Sequence, residues 1–120
     1  MYRFSGDIDL DEIVGSEIQQ ICMGRFDVQF HFRSGTRIAV QGEVTLHRDR
    51  ELIATWNEKD NWNNIAFQEL LNLTVKGHST PNERTFEIDF EDSISLRLHD
   101  SDEFECCQIY SVRNEAIIVV

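Results

Sequence analysis

Proline is almost absent from this 120-residue chain: Pro81 is the single one, so no Pro-rich linker divides it. Cysteine is scarce and odd in number, at Cys22, Cys106 and Cys107. Three thiols make no disulfide framework, which predicts free cysteines in a reducing compartment. Adjacent strand residues point to opposite faces, so Cys106 and Cys107 are expected neither to bridge nor to share a metal. No apolar run approaches the roughly 20 residues that a membrane-spanning helix requires. The first residues, Met1 to Asp7, lack the apolar stretch of a signal peptide. A cytoplasmic protein with no membrane partner is the expectation.

Positive charge is also in short supply. Eleven Lys and Arg stand against 22 Asp and Glu, for a net charge of −11. Non-specific nucleic-acid binding needs basic residues to neutralise phosphates, and this chain has the opposite balance. Catalytic motifs are missing as well. There is no HExxH, CxxC, GxSxG, phosphate-binding loop or GxGxxG. His31, His47, His78 and His99 have no histidine two or four residues away, and they read as surface residues. The strongest metal arrangement on offer brings His99 and Asp100 near His78. The expectation is a non-enzymatic protein with no cofactor and no metal.

What is present is a globular composition, 41% hydrophobic and 28% charged, with eight Phe and two Trp. A chain of this length buries roughly two-thirds of its unfolded surface, so it needs no metal or disulfide to fold. One domain, residues 1–120, is expected. Within it, Phe32 to Val40 lines up with Phe90 to Leu98 at an offset of 58, and Val14 to Ile18 with Leu71 to Val75 at 57. This predicts two copies of one unit, over about 13–47 and 70–110.

Each copy reads as strand and hairpin. Val28, Phe30 and Phe32 alternate with polar residues, and after a turn so do Ile38, Val40, Val44 and Leu46. In the second copy Phe86, Ile88 and Phe90 face inward, followed by Ile94, Leu96 and Leu98. Residues directly opposite share a face. Phe32 should therefore oppose Thr36, Phe90 should oppose Ile94, and each loop should hold three residues. Gly35 suits the left-handed last position of such a loop, where the second copy has Ser93. The same register sets Glu87 opposite Arg97. Between the copies, Leu52 to Trp56 suggests a short strand. Trp62, Ile65, Ala66, Phe67, Leu70 and Leu71 recur at helical spacing, which predicts a helix from about Trp62 to Leu71 capped by Asp60 or Asn61. Two more strands end the chain. The last, Ala116 to Val120, is apolar on both faces and should be a central or covered strand, or part of a dimer contact. The fold class expected is mainly β (β-rich α+β): two strand-plus-hairpin units in a curved antiparallel sheet or two-layer β domain, with one short helix between them.

Two groups of residues are candidate binding surface. One is acidic: Glu87, Asp89, Glu91, Asp92, Asp100, Asp102, Glu103 and Glu105. Clustered like charge adds self-repulsion without helping packing, so it suits docking to a basic protein. The other is Trp56, since Trp is enriched at interface centres although it is also common core filler. With F-x-x-G-x-x-I-x-V at Phe32 to Val40 and F-E-x-x-Q-I at Phe104 to Ile109, the layout resembles small acidic bacterial immunity-type proteins of polymorphic or contact-dependent toxin systems. The second copy departs from it at Ser93. The resemblance implies an inhibitor that covers a basic toxin domain. The competing readings are a homodimeric structural domain joined through the C-terminal strand, and a small-ligand binder using the concave sheet face with the Trp56–Trp62 loop as its rim.

Overall fold

The computed structural model describes residues 4, 8–100 and 106–111, together with the backbone of 116–119. Their strands are β1 (Ile18–Met23), β2 (Val28–Phe32), β3 (Arg37–Val40), β4 (Glu43–Arg48) and β5 (Glu51–Trp56) in the first half. The second half supplies β6 (Val75–Asn82), β7 (Thr85–Phe90), β8 (Ile94–His99), β9 (Cys107–Ser111) and β10 (Ala116–Val119). They build two antiparallel sheets of five strands each. Sheet I runs β1-β2-β3-β9-β10 and sheet II runs β5-β4-β8-β7-β6. The protein is a β-rich domain.

The two halves interlock. Each contributes a three-strand meander to one sheet and a two-strand hairpin to the other. The seams are β3 against β9, with Ile38 opposite Ile109, and β8 against β4, with Leu96 opposite Leu46. Exchanging the halves leaves the strand order unchanged, the twofold form that a repeat would give. Glu17 and Thr74, aligned by the offset of 57, pair with each other in an antiparallel bridge. The Arg33 N–H donates to the Glu17 carbonyl at 2.9 Å, as the Glu91 N–H does to that of Thr74 at 3.0 Å. At the first sheet-to-sheet corner, a Cβ on Gly42 would stand 3.0 Å from the His99 carbonyl oxygen. Only glycine passes that close without displacing β8.

Period-two alternation decides which face is buried. Val44, Leu46, Phe86, Ile88, Leu96 and Leu98 of sheet II are fully buried against Val28, Phe30, Ile38, Val40 and Ile109 of sheet I. The hairpin parity holds in both copies. The Phe32 N–H bonds the Thr36 carbonyl at 2.9 Å, and Gly35 takes φ +102°. In the second copy Asp89 pairs with Ser95, which leaves Phe90 opposite Ile94. There both Asp92 and Ser93 take left-handed conformations, φ +64° and +61°.

Three expectations need correction. The helix between the copies is a short 3-10 segment, Ile65–Leu70, capped by the Asn64 side chain on the Ala66 N–H (3.0 Å). It cannot begin at Trp62. That indole N–H is held by the Gly24 carbonyl at 3.1 Å, and both Asn61 and Trp62 have φ +55°, outside the right-handed helical region. The expected separation of Cys106 and Cys107 onto opposite faces also fails, although both are free as expected: they are buried, with sulfurs 3.1 Å apart. Cys106 precedes β9, so strand alternation does not separate the two side chains. Finally, β10 pairs only with β9 and forms an edge of sheet I among the described strands, not a central strand.

Candidate functional site

The outer face of sheet II carries a polar array that the register assembles row by row. Thr45, Arg97, Glu87 and Ser79 lie in one row across β4, β8, β7 and β6, and His47, Ser95 and Asp89 in the next. Their strand neighbours point into the core, so all of these side chains face away from sheet I. Beside them opens a cleft of about 720 Å³, lined by Glu87, Asp89, Ser95 and Arg97 together with Asp49 and Arg50 of the β4–β5 turn. The Asp49 N–H bonds the Ser93 carbonyl at 3.0 Å, which fixes that turn to the β7–β8 hairpin.

Two hydrogen-bonded groups meet in this array. In one, Arg97 Nε donates to Glu87 Oε1 at 2.7 Å, and the Glu87 side chain also bonds that of Asp89. Desolvation is the largest influence on Asp89, followed by the hydrogen bond and charge of Glu87. Together they push its carboxyl up from 3.8 to about 6, against the opposing pull of Arg97 and His78. In the other group, Thr45 Oγ1 lies 2.8 Å from His47 Nε2 and 2.7 Å from His99 Nε2. Burial lowers the pKa of both histidines, with further lowering from the Arg97 charge. Neutral imidazoles suit the bridge, because the hydroxyl donates to one ring and accepts from the other.

The acidic residues singled out from sequence do not form one face. Glu87 and Asp89 share the cleft. Glu91 turns back, its Oε1 accepting the Thr74 N–H at 3.1 Å. Asp92 is exposed at the hairpin tip. Asp100 lies beyond the far end of β8, where its nearly buried side chain accepts from Arg84 Nε at 2.9 Å. Asp102, Glu103 and Glu105 lie outside the described residues. Trp56 is not an exposed rim residue: it is 3% exposed and stacks on Phe67 with ring centroids 4.4 Å apart. Thr45 escaped the sequence reading, and His47, expected at the surface, is buried; neither it nor His99 was expected to meet Thr45. Their signal was the polar alternation Glu43, Thr45, His47 in β4, which marks an outer face without saying which strand lies beside it.

His78 and His99 do not come together. His78 opposes the inward Ile88, whereas His99 opposes Thr85 on the outer face. His78 instead stacks on Phe86 and approaches Asp11, Nε2 to Oδ1 at 3.1 Å. With Asp9 these donor atoms lie within 4.8 Å of one another, but Nε2 already accepts the Leu10 N–H at 3.2 Å.

A second concavity of about 500 Å³ lies between β1 and the 3-10 segment, with Trp56 and Phe67 in its wall. Comparison with protein-family models, curated proteins and solved structures finds no match to this chain.

Proposed function

We propose that the protein is a non-enzymatic binding module that receives a cationic side chain of a basic protein partner in the sheet II cleft. The observation that supports this reading is the charge count within that cleft. Asp49, Glu87 and Asp89 face two guanidiniums, and Arg97 is already engaged by Glu87. Asp89 is left as a carboxyl that holds its proton to about pH 6. A lysine or arginine from a partner would replace that proton and complete the array. In the immunity-type setting suggested by the layout, the partner is a basic toxin domain and the site of action is the cytoplasm. Three free cysteines fit such a reducing compartment.

The test uses Asp89→Lys, which reverses the charge of an outward residue and leaves the core untouched. Calorimetry with an Arg-containing basic peptide, or with a basic toxin domain, should show binding at least about tenfold weaker for the variant. Wild-type binding should weaken steeply with added salt. Equal affinity of wild type and variant would sink the proposal. Glu91 is not a suitable site for charge reversal, because its carboxylate caps the Thr74 N–H.

A further inference from the structure

The groove between β1 and the 3-10 segment has properties that the sheet II cleft lacks. Four consecutive or near-consecutive residues of β1 line it: Gln19, Gln20, Ile21 and Met23. Neighbouring side chains of a strand point to opposite faces, so a cavity touching all of them runs along the strand edge. Ile18, at the start of that edge, is bridged to Leu71, but from Gln20 to Met23 the edge has no strand partner among the described residues, because β1 ends sheet I. The Gly24 N–H bonds the Asp27 carbonyl at 2.7 Å, and antiparallel bonding alternates from there. Cys22 and Gln20 therefore bond β2, while the N–H and C=O of Ile21 and Met23 turn toward the groove.

The opposite wall carries side-chain amides, Asn61, Asn63, Asn64 and Gln68, and Trp56 and Phe67 complete the cavity. No ionisable residue lines it. Trp56 is almost wholly buried, yet its indole N–H has no acceptor among the described residues. A buried donor without an acceptor is costly, which marks Trp56 as an incompletely satisfied residue in the cavity wall. The rim adds exposed apolar surface at Met23 (60% exposed) and Ile65 (80%).

We propose that this groove is a docking site for an extended, uncharged peptide segment of a partner protein, which adds as a strand to the free edge of β1. The peptide backbone meets Ile21 and Met23, its outer edge meets the amide wall, and one neutral side chain enters beside Trp56. A compact sugar or other small molecule would use the amides and the indole but leave the strand edge unpaired. The unpaired edge therefore favours a chain over a small ligand. This site is separate from the acidic cleft, and the two proposals fail independently.

The test is a panel of acetylated, amidated octapeptides without charged residues, titrated into 15N-labelled full-length protein. Binders should move the Trp56 indole resonance and slow hydrogen exchange at Ile21 and Met23. N-methylation along a binding peptide should abolish binding at alternate positions only, the signature of strand pairing. Ile21→Pro, which removes an outward N–H from an edge strand, should weaken binding at least about tenfold while leaving the fold intact. Asp89→Lys should have no effect. Absence of binding at millimolar peptide would overturn the proposal, as would N-methyl sensitivity without alternation. So would chitobiose or maltose shifting the indole when no peptide does.

Discussion

Asp89 illustrates how little a residue's charge says before its neighbours are known. In sequence it is one of 22 acids. In the fold, burial and Glu87 raise its carboxyl to about 6. A folded-state pKa above the unfolded value means that the native state holds the proton more tightly. The stabilisation is complete below pH 3.8 and is lost as the pH rises through about 6. Asp89→Asn, which imitates the protonated form, should therefore stabilise the protein at pH 7.5 by about 1 kcal/mol, after discounting for solvent around the half-exposed group, and by less at pH 5. Chemical denaturation at the two pH values checks this. A gain that is equal at both would remove the carboxyl pair as its cause. His47 and His99 act in the opposite sense. Their lowered pKa values mean that the stability present above pH 6.5 is lost on acidification. The same variant should weaken capture of a basic peptide, and wild-type binding should release a proton near pH 6. Calorimetry in buffers of different ionisation enthalpy reads that release directly.

Among the elements, the two hairpins show the same design carried out with unequal residues. Gly35 adopts its positive φ at little cost, whereas Asp92 and Ser93 both bear a Cβ in the left-handed region. Ser93→Gly should stabilise the protein by about 0.5–1 kcal/mol, and Gly35→Ala should destabilise it by about 1 kcal/mol or more. Thermal melts of the pair check both signs, and an unstable Ser93→Gly variant would show that the serine side chain contributes more than its backbone costs. The 3-10 segment teaches a different lesson. Its apolar spacing suits a helix from Trp62, but one indole hydrogen bond to Gly24 and the packing of Trp62 against Trp56 hold that residue in a left-handed conformation. The tertiary contacts of two aromatic rings outweigh a weak local preference.

At the scale of the whole molecule, the seams β3–β9 and β4–β8 run between halves of the chain, and each sheet is incomplete without both. Neither half carries a closed core. Fragments 1–60 and 61–120, separated in the polar loop between Trp56 and Trp62, should each be unfolded alone and should regain β-sheet circular dichroism when mixed. A fragment that folds cooperatively by itself would refute this account of the interlock. The net charge of −11 adds a long-range field that attracts positively charged molecules at low salt.

Much of the local design was legible in the chain. Alternating Phe, Ile, Leu and Val mark the strands and their buried faces, because a pleated strand has a period of two. Parity then sets the three-residue loops, the pairing of Phe32 with Thr36, and the ion pair of Glu87 with Arg97. These depend on residues within one hairpin, so local pattern suffices. Other features depend on contacts between distant segments, and only the tertiary structure decided them. The crossing of β4–β5 and β9–β10 into the opposite sheet is one; the dispersal of the acids is another, since Glu91 and Asp100 found partners that spacing does not reveal. Trp56 became core because Phe67 came to lie on it. The joining of Thr45 to His47 and His99, and the groove along β1, follow from which strand edges meet. Strand alternation says which way a side chain points, and the tertiary fold alone says what it meets there.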